Sequence, residues 1–146
     1  MSIEIRPFVS ADREAWLPLW QGYLSFYGAS VSDEVTQSTW RRLIDPAAPI
    51  HGFGAFDDAG RLIGFVHYLF HPVTWSASDR CYLEDLFVGP EARDAGAGRA
   101  LMEAVYRSAD EKGADQVYWL TAHDNKAARR LYDQVGRLTP FVKYQR

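Results

Sequence analysis

The chain holds a single cysteine, Cys81, which rules out an intrachain disulfide and leaves no cysteine cluster for zinc. No stretch approaches the roughly 20 apolar residues that a helix needs to cross a bilayer. Glu4 and Arg6 fall where a secretory leader would carry its apolar run. Positive charge is not in excess either: 16 basic residues stand against 19 acidic, a net charge of −3, so no basic field draws the protein to nucleic acid. Repeats and low-complexity linkers are also missing. What remains is a globular protein expected in a reducing compartment, the cytoplasm. With 146 residues, 47% of them apolar, one domain spanning 1–146 buries a core without staples.

Strand and helix patterns alternate along that domain. Residues 3–9 read as an edge strand tolerating Pro7, and Ser10 as the cap of a helix to about Tyr27 that Pro18 should kink or delay. Trp16, Trp20, Tyr23 and Tyr27 line one face of it. A second helix fits 33–44, capped by Ser32 or Asp33 and stopped by Pro46. Residues 51–56 and 61–71 flank a hairpin turn at Asp57-Asp58-Ala59-Gly60, and 80–88 make a third long strand. A helix from about Gly98 to Lys112 ends at Gly113. Strand 116–121, helix 126–135 and a last strand 141–144 complete an α/β or α+β pattern.

The segment between the third strand and its helix asks for an explanation, because Gly89, Gly96 and Gly98 cluster there. A helix start leaves its first N–H groups unpaired and turns its positive end outward, so strand, glycine loop and helix in that order suit an anion such as phosphate. A P-loop would need a lysine after the glycines, and there is none. A dinucleotide fingerprint would need a third glycine where Leu101 stands. A connector that binds nothing is the plain alternative.

Two motifs resolve the choice. Arg93-Asp94-Ala95-Gly96-Ala97-Gly98 resembles the Arg/Gln-x-x-Gly-x-Gly/Ala loop of the Gcn5-related N-acetyltransferases, and Asn125-Lys126-Ala127-Ala128-Arg129-Arg130-Leu131-Tyr132 resembles that family's Asn-x-x-Ala-x-x-Leu-Tyr segment, with Gly136 following. Tyr82 to Val88, YLEDLFV, is similar to the diamine and polyamine branch, and the C-terminal third to the fungal type that acetylates histones, polyamines or D-amino acids. Arg137 departs from the aromatic residue the family carries after the glycine. The resemblance implies one domain with a mixed central sheet of about six to seven strands and about four helices. It also implies acetyl-coenzyme A as cofactor, a primary amine or lysine-containing peptide as acceptor, direct attack in a ternary complex, and a homodimer or larger oligomer.

Site residues follow from the same resemblance. The backbone of Leu86, Phe87 and Val88 would pair with the pantetheine arm. Arg93, Asp94, Ala95, Gly96, Ala97, Gly98, Arg99 and Ala100 would cradle the pyrophosphate, with Asn125 and Ala128 holding the arm from the other side. Tyr132 is the expected general acid, and a tyrosine near 10 facing a thiol near 8.5 is uphill by about 2 kcal/mol. Deprotonating a primary amine of pKa near 10.4 at pH 7 costs about 4.6 kcal/mol. Glu84 is the expected base, through a water relay. In a regular strand Asp85 points to the face opposite Glu84; it is assigned to attracting the substrate cation, with a structural ion pair as the equal alternative. Tyr23 and Tyr27 are candidates for lining the acceptor pocket. His67 and His71 read as structural or surface residues, and no metal site is expected. A non-catalytic acyl-coenzyme A sensor and a nucleotide-binding module stand as rival functions.

Overall fold

The computed structural model describes residues 2–146. Strand β1 (Glu4–Pro7) leads into a 3-10 turn at Ser10–Asp12. That turn is pinned by Asp12, whose carboxylate accepts from the Val9 N–H at 2.8 Å and from both terminal nitrogens of Arg6 at 2.9 and 3.1 Å. Helix α1 (Arg13–Phe26) therefore starts later than Ser10, and it then runs without a break through Pro18. Helix α2 (Asp33–Ile44) is capped by Ser32, whose Oγ accepts from the Val35 N–H. Strands β2 (Ile50–Phe56) and β3 (Leu62–His71) form the expected hairpin, its turn held by Asp57 accepting from the N–H groups of Ala59 and Arg61.

Strand β4 (Arg80–Val88), helix α3 (Ala97–Lys112), strand β5 (Val117–Tyr118) and helix α4 (Lys126–Val135) follow. The sheet runs β1-β2-β3-β4-β5, antiparallel through β4 with β5 parallel to it, a mixed sheet of five strands. That is fewer than expected, and the difference lies at the C-terminus. Residues 137–146 pair with no strand, and Leu138, Phe141, Val142 and Tyr144 are largely exposed. Their alternation supplies strand propensity, but a strand exists only with a partner, and β5 pairs over just two residues.

The two faces of the sheet differ. One packs Ala55, Val66, Cys81 and Leu83 against Ala97, Leu101, Met102, Val105 and Ala109 of α3. The other packs Phe65 and Phe8 against Trp16, Trp20 and Trp40 of the first two helices. No helix among the described residues is long and apolar enough to cross a membrane.

Candidate active site

Strand β4 organises the site, and an irregularity decides how. Opposite it, Tyr68 pairs with Leu83 and the next residue, His67, pairs with Asp85, so Glu84 is a spare residue in a β-bulge. The assumption of regular pairing for Asp85 is thereby overturned: Leu83 packs on the α3 side while Asp85, two residues on, meets Tyr23 of α1. Adding one residue shifts the alternation, so Glu84 and Asp85 come together on the α1 side instead of splitting between faces. Partial burial is the main cause that pushes the Glu84 carboxyl above the usual carboxylate range, and the neighbouring Asp85 charge adds to it. A hydrogen bond with Tyr82 and the charge of Lys143 act in the other direction.

Asp85 is itself tied down. Tyr23 donates its hydroxyl to one carboxylate oxygen at 2.6 Å, and His67 Nδ1 lies 2.9 Å from the other. Burial and the Asp85 charge hold the Tyr23 proton far more tightly than in a free tyrosine. Tyr27, exposed at the end of α1, meets Tyr23 edge-on with ring centroids 5.3 Å apart.

Past Tyr82, β5 no longer pairs with β4, and the outer edge of β4 from Leu83 to Val88 is left without a neighbouring strand. Leu86 and Val88 lean on the α3 core, while Phe87 joins the aromatic side. Arg93 turns back, donating from Nε to the Val88 carbonyl at 3.3 Å with its guanidinium over the Phe87 ring. Asp94 and Gly96 take left-handed backbone conformations, φ 69° and 87°. Gly96 is the N-cap of α3, no side chain caps it, and no acidic residue occupies the first turn. A Cβ built on Gly96 would meet nothing within 4 Å, and no side chain caps the first-turn amides that follow it. A Cβ on Gly98 would press on Leu131 at 3.3 Å, which makes that glycine a packing residue between α3 and α4. Arg99 reaches across to the side-chain oxygen of Gln134, and Ala100 closes the helix start through its N–H to Gly96.

On α4, Asn125 is a helix cap: its Oδ1 accepts from the Ala128 N–H at 3.4 Å, and its Nδ2 donates to Thr121. Tyr132 is half-buried, edge-on to Trp119 at 5.5 Å, and among the described residues its hydroxyl has no hydrogen-bond partner. Burial pushes it up to about 12. Gly136 is required by Trp119, since a Cβ there would stand 2.6 Å from the indole.

The remaining candidates separate from the site. His71 accepts from the Tyr118 hydroxyl and bonds the Pro72 carbonyl through its other nitrogen. Cys81 is buried and its thiol pushed up to about 11 by burial, which leaves it inert. The residue sequence reasoning undervalued is His67, only 2% exposed and joined to both Asp85 and Trp16. The available signal was a lone polar ring inside the apolar run GFVHYLF.

A mixed sheet whose fourth strand has a free edge, with an uncapped helix start at that strand's end, is an arrangement that suits an anionic ligand with an extended arm. The acetyltransferase (GNAT) family profile matches residues 13–136, and the chain belongs to that family. Over 145 residues it is 41% identical to the D-amino-acid N-acetyltransferase HPA3 of Saccharomyces cerevisiae, covering 99% of this chain and 90% of that one. It is 32% identical to the uncharacterized N-acetyltransferase YhfO of Bacillus subtilis, over 97% of this chain and 95% of the relative. Among solved structures, an aminoglycoside acetyltransferase, AAC(6')-Iy, in complex with a coenzyme A bisubstrate analogue superposes with a TM-score of 0.85 at 23% identity. That match covers 100% of this chain and 98% of the other. The protein is an N-acetyltransferase, and acetyl-coenzyme A is the cofactor of its family.

Proposed function

We propose that this protein transfers an acetyl group from acetyl-coenzyme A to a primary amine, by direct attack with both substrates bound. The observation that carries the reading is the start of α3, where no side chain caps the first-turn amides, a left-handed Gly96 leaves open space at its α-carbon, and the adjoining edge of β4 has no neighbouring strand. Those residues fit the group: the amides of residues 96–99 suit a pyrophosphate, the Ala100 N–H being already bonded within the helix, and the free edge at Leu86–Val88 suits an amide-bearing arm laid alongside like an added strand. Arg93 supports this place by bracing the strand end, and Asn125 by capping α4.

Bound acetyl-coenzyme A supplies an activated thioester. Glu84 takes the proton that the acceptor ammonium must lose, through water, because the residue is exposed at its outer end. The burial and Asp85 charge that raise its proton affinity narrow the gap between carboxylate and amine, and so improve it as a base. Asp85 attracts the acceptor cation, with Tyr23 and Tyr27 as the aromatic wall beside it. Tyr132 holds a free hydroxyl on the α4 side, the donor for the departing sulfur. With its proton held to about 12, full transfer to a thiolate near 8.5 would cost about 5 kcal/mol. Tyr132 therefore acts chiefly by hydrogen bonding to the developing charge.

A polyamine, a diamine, an amino acid and a protein lysine all fit an acidic, tyrosine-walled acceptor site. The relative's D-amino acid adds a carboxylate, and the cation near Glu84 that suits it is Lys143. The exposed apolar tail supports a homodimer, and the free, buried Cys81 supports a reducing cytoplasm. The test is thiol release by the purified protein with acetyl-coenzyme A and a panel of these amines. Turnover on at least one amine is expected. Tight coenzyme A binding with no turnover on any would leave a sensor, and competition by ATP but not by coenzyme A would leave a nucleotide-binding module.

A further inference from the structure

A polar relay runs inward from Asp85 through a layer that is otherwise aromatic. Trp16 is fully buried and its indole nitrogen lies 3.2 Å from His67 Nε2. An indole N–H only donates, so Nε2 must offer its lone pair. The imidazole proton then sits on Nδ1 and points at Asp85 Oδ2, 2.9 Å away. Tyr23 donates to Oδ1. Each carboxylate oxygen thus receives one hydrogen bond and keeps one lone pair, and the carboxylate side chain retains 15% of its exposure as an outlet.

Packing alone does not require these groups. The His67 ring is stacked on Phe65 at 4.5 Å and lies beside Trp20 at 5.6 Å, a pocket that a leucine or phenylalanine would fill. Buried polar groups cost stability unless every one is paired, and apolar replacements of like volume are often neutral or stabilising. Here every member is paired, among the described residues no buried side-chain polar atom lacks a partner, and the relay opens only at Asp85 beside the bulged Glu84.

We propose that His67 is a positioning residue for acceptor binding: locked in one tautomer by Trp16, it fixes with Tyr23 the orientation of the Asp85 carboxylate, whose remaining lone pairs receive the ammonium of the acceptor. The inference rests on the reading of Asp85 as the seat of the acceptor cation. It assigns His67 and Trp16 a part in choosing a cationic acceptor although neither touches it. The relay also explains why a strand residue so near the surface is clamped from both sides: an unclamped carboxylate would turn toward water and meet the cation in many orientations.

The test compares His67→Leu, His67→Asn and Tyr23→Phe with the wild-type protein. Asparagine places an N–H near the Nδ1 position and keeps the donor to Asp85, whereas leucine fills the space and loses it. Dissociation constants for n-butylamine and 1,4-diaminobutane are read by calorimetry with coenzyme A present, beside KM and kcat for the same amines. His67→Leu is expected to weaken amine binding about tenfold to a hundredfold, the range of one charge-assisted hydrogen bond, with KM rising more than kcat falls. Tyr23→Phe shifts the same way, His67→Asn recovers most of the loss, and coenzyme A affinity is unchanged in all three. Nitrogen NMR of the wild-type imidazole should report a proton on Nδ1. Equal behaviour of the leucine and asparagine variants, unchanged amine binding in both His67→Leu and Tyr23→Phe, or a proton found on Nε2 would overturn the positioning role while leaving the enzyme. A wild-type protein that neither binds nor acetylates any amine would instead remove the acetyltransferase reading, and this one with it.

Discussion

The two faces of the sheet are built from different materials. The α3 face is mostly aliphatic and small-residue at its centre, with Leu101, Met102 and Val105 fully buried, Tyr68 its one buried aromatic residue and no charged group among its buried residues. The α1 face is aromatic and carries a carboxylate, an imidazole and two hydroxyl- or N–H-bearing rings wired together. One face fixes where a helix begins; the other presents ionisable groups. On the proposed reading the five-stranded sheet holds its cofactor with rigidity and its acceptor with chemistry, and damage to each face should read differently.

The comparison breaks hardest at Leu101. Leu101→Ala should cost about 2–5 kcal/mol of stability, seen in denaturant unfolding, and leave acceptor preference among the surviving molecules unaltered. Tyr132→Phe comes next: because its hydroxyl bonds nothing in the fold, stability and coenzyme A affinity should hold while kcat falls about a hundredfold or more. Gly96→Ala places an L-residue at φ 87°, a strain of about 1–2 kcal/mol, and sets a methyl where the anion would lie. Calorimetry should find coenzyme A binding weakened, with acceptor KM little affected. A smaller and more diagnostic change concerns the acid limb of the kcat/KM profile, which reports Glu84 on the base role proposed for it above. The base works when ionised, and Asp85 raises its proton affinity. Asp85→Asn should therefore move that limb to lower pH, and Lys143→Ala, which removes a cation that lowers it, should move it slightly to higher pH.

Glu84 has a second consequence for pH. A carboxyl whose proton affinity is raised by folding stabilises the native state while protonated, below its unfolded pKa, and that contribution is lost as pH rises through the folded value. Glu84→Gln should then flatten the stability profile on the alkaline side of the carboxylate range, as thermal unfolding at several pH values would record.

Sequence was informative wherever the signal was local. Helices α2 and α4 and strand β4 begin and end where their caps and stops stand, at Ser32, Asn125 and Gly89, because a cap acts on the next three residues. The glycine loop was legible for the same reason. Distant partners were not. Strandhood at 141–144 depends on an edge to pair with; the bulge at Glu84 exists only in the register of β3 against β4; and His67 takes its meaning from Trp16, 51 positions earlier in the chain. Asn125 reads the same from either side, since a capping residue and a cofactor-facing residue share one position.

Strands count in twos, and the spare residue in β4 resets the parity of everything after it. Cys81 and Leu83 lie on the α3 side as odd positions, whereas Leu86 and Val88 reach that side as even ones. Removing Glu84 would close the bulge and restore regular pairing, leaving Phe87, Leu86 and Val88 where they are but taking away one of the two carboxylates, whereas removing Leu83 would bring Glu84 opposite Tyr68 and press a charge against the α3 side. The extra residue is therefore what lets two adjacent carboxylates share one face, which no regular strand of the same composition could do.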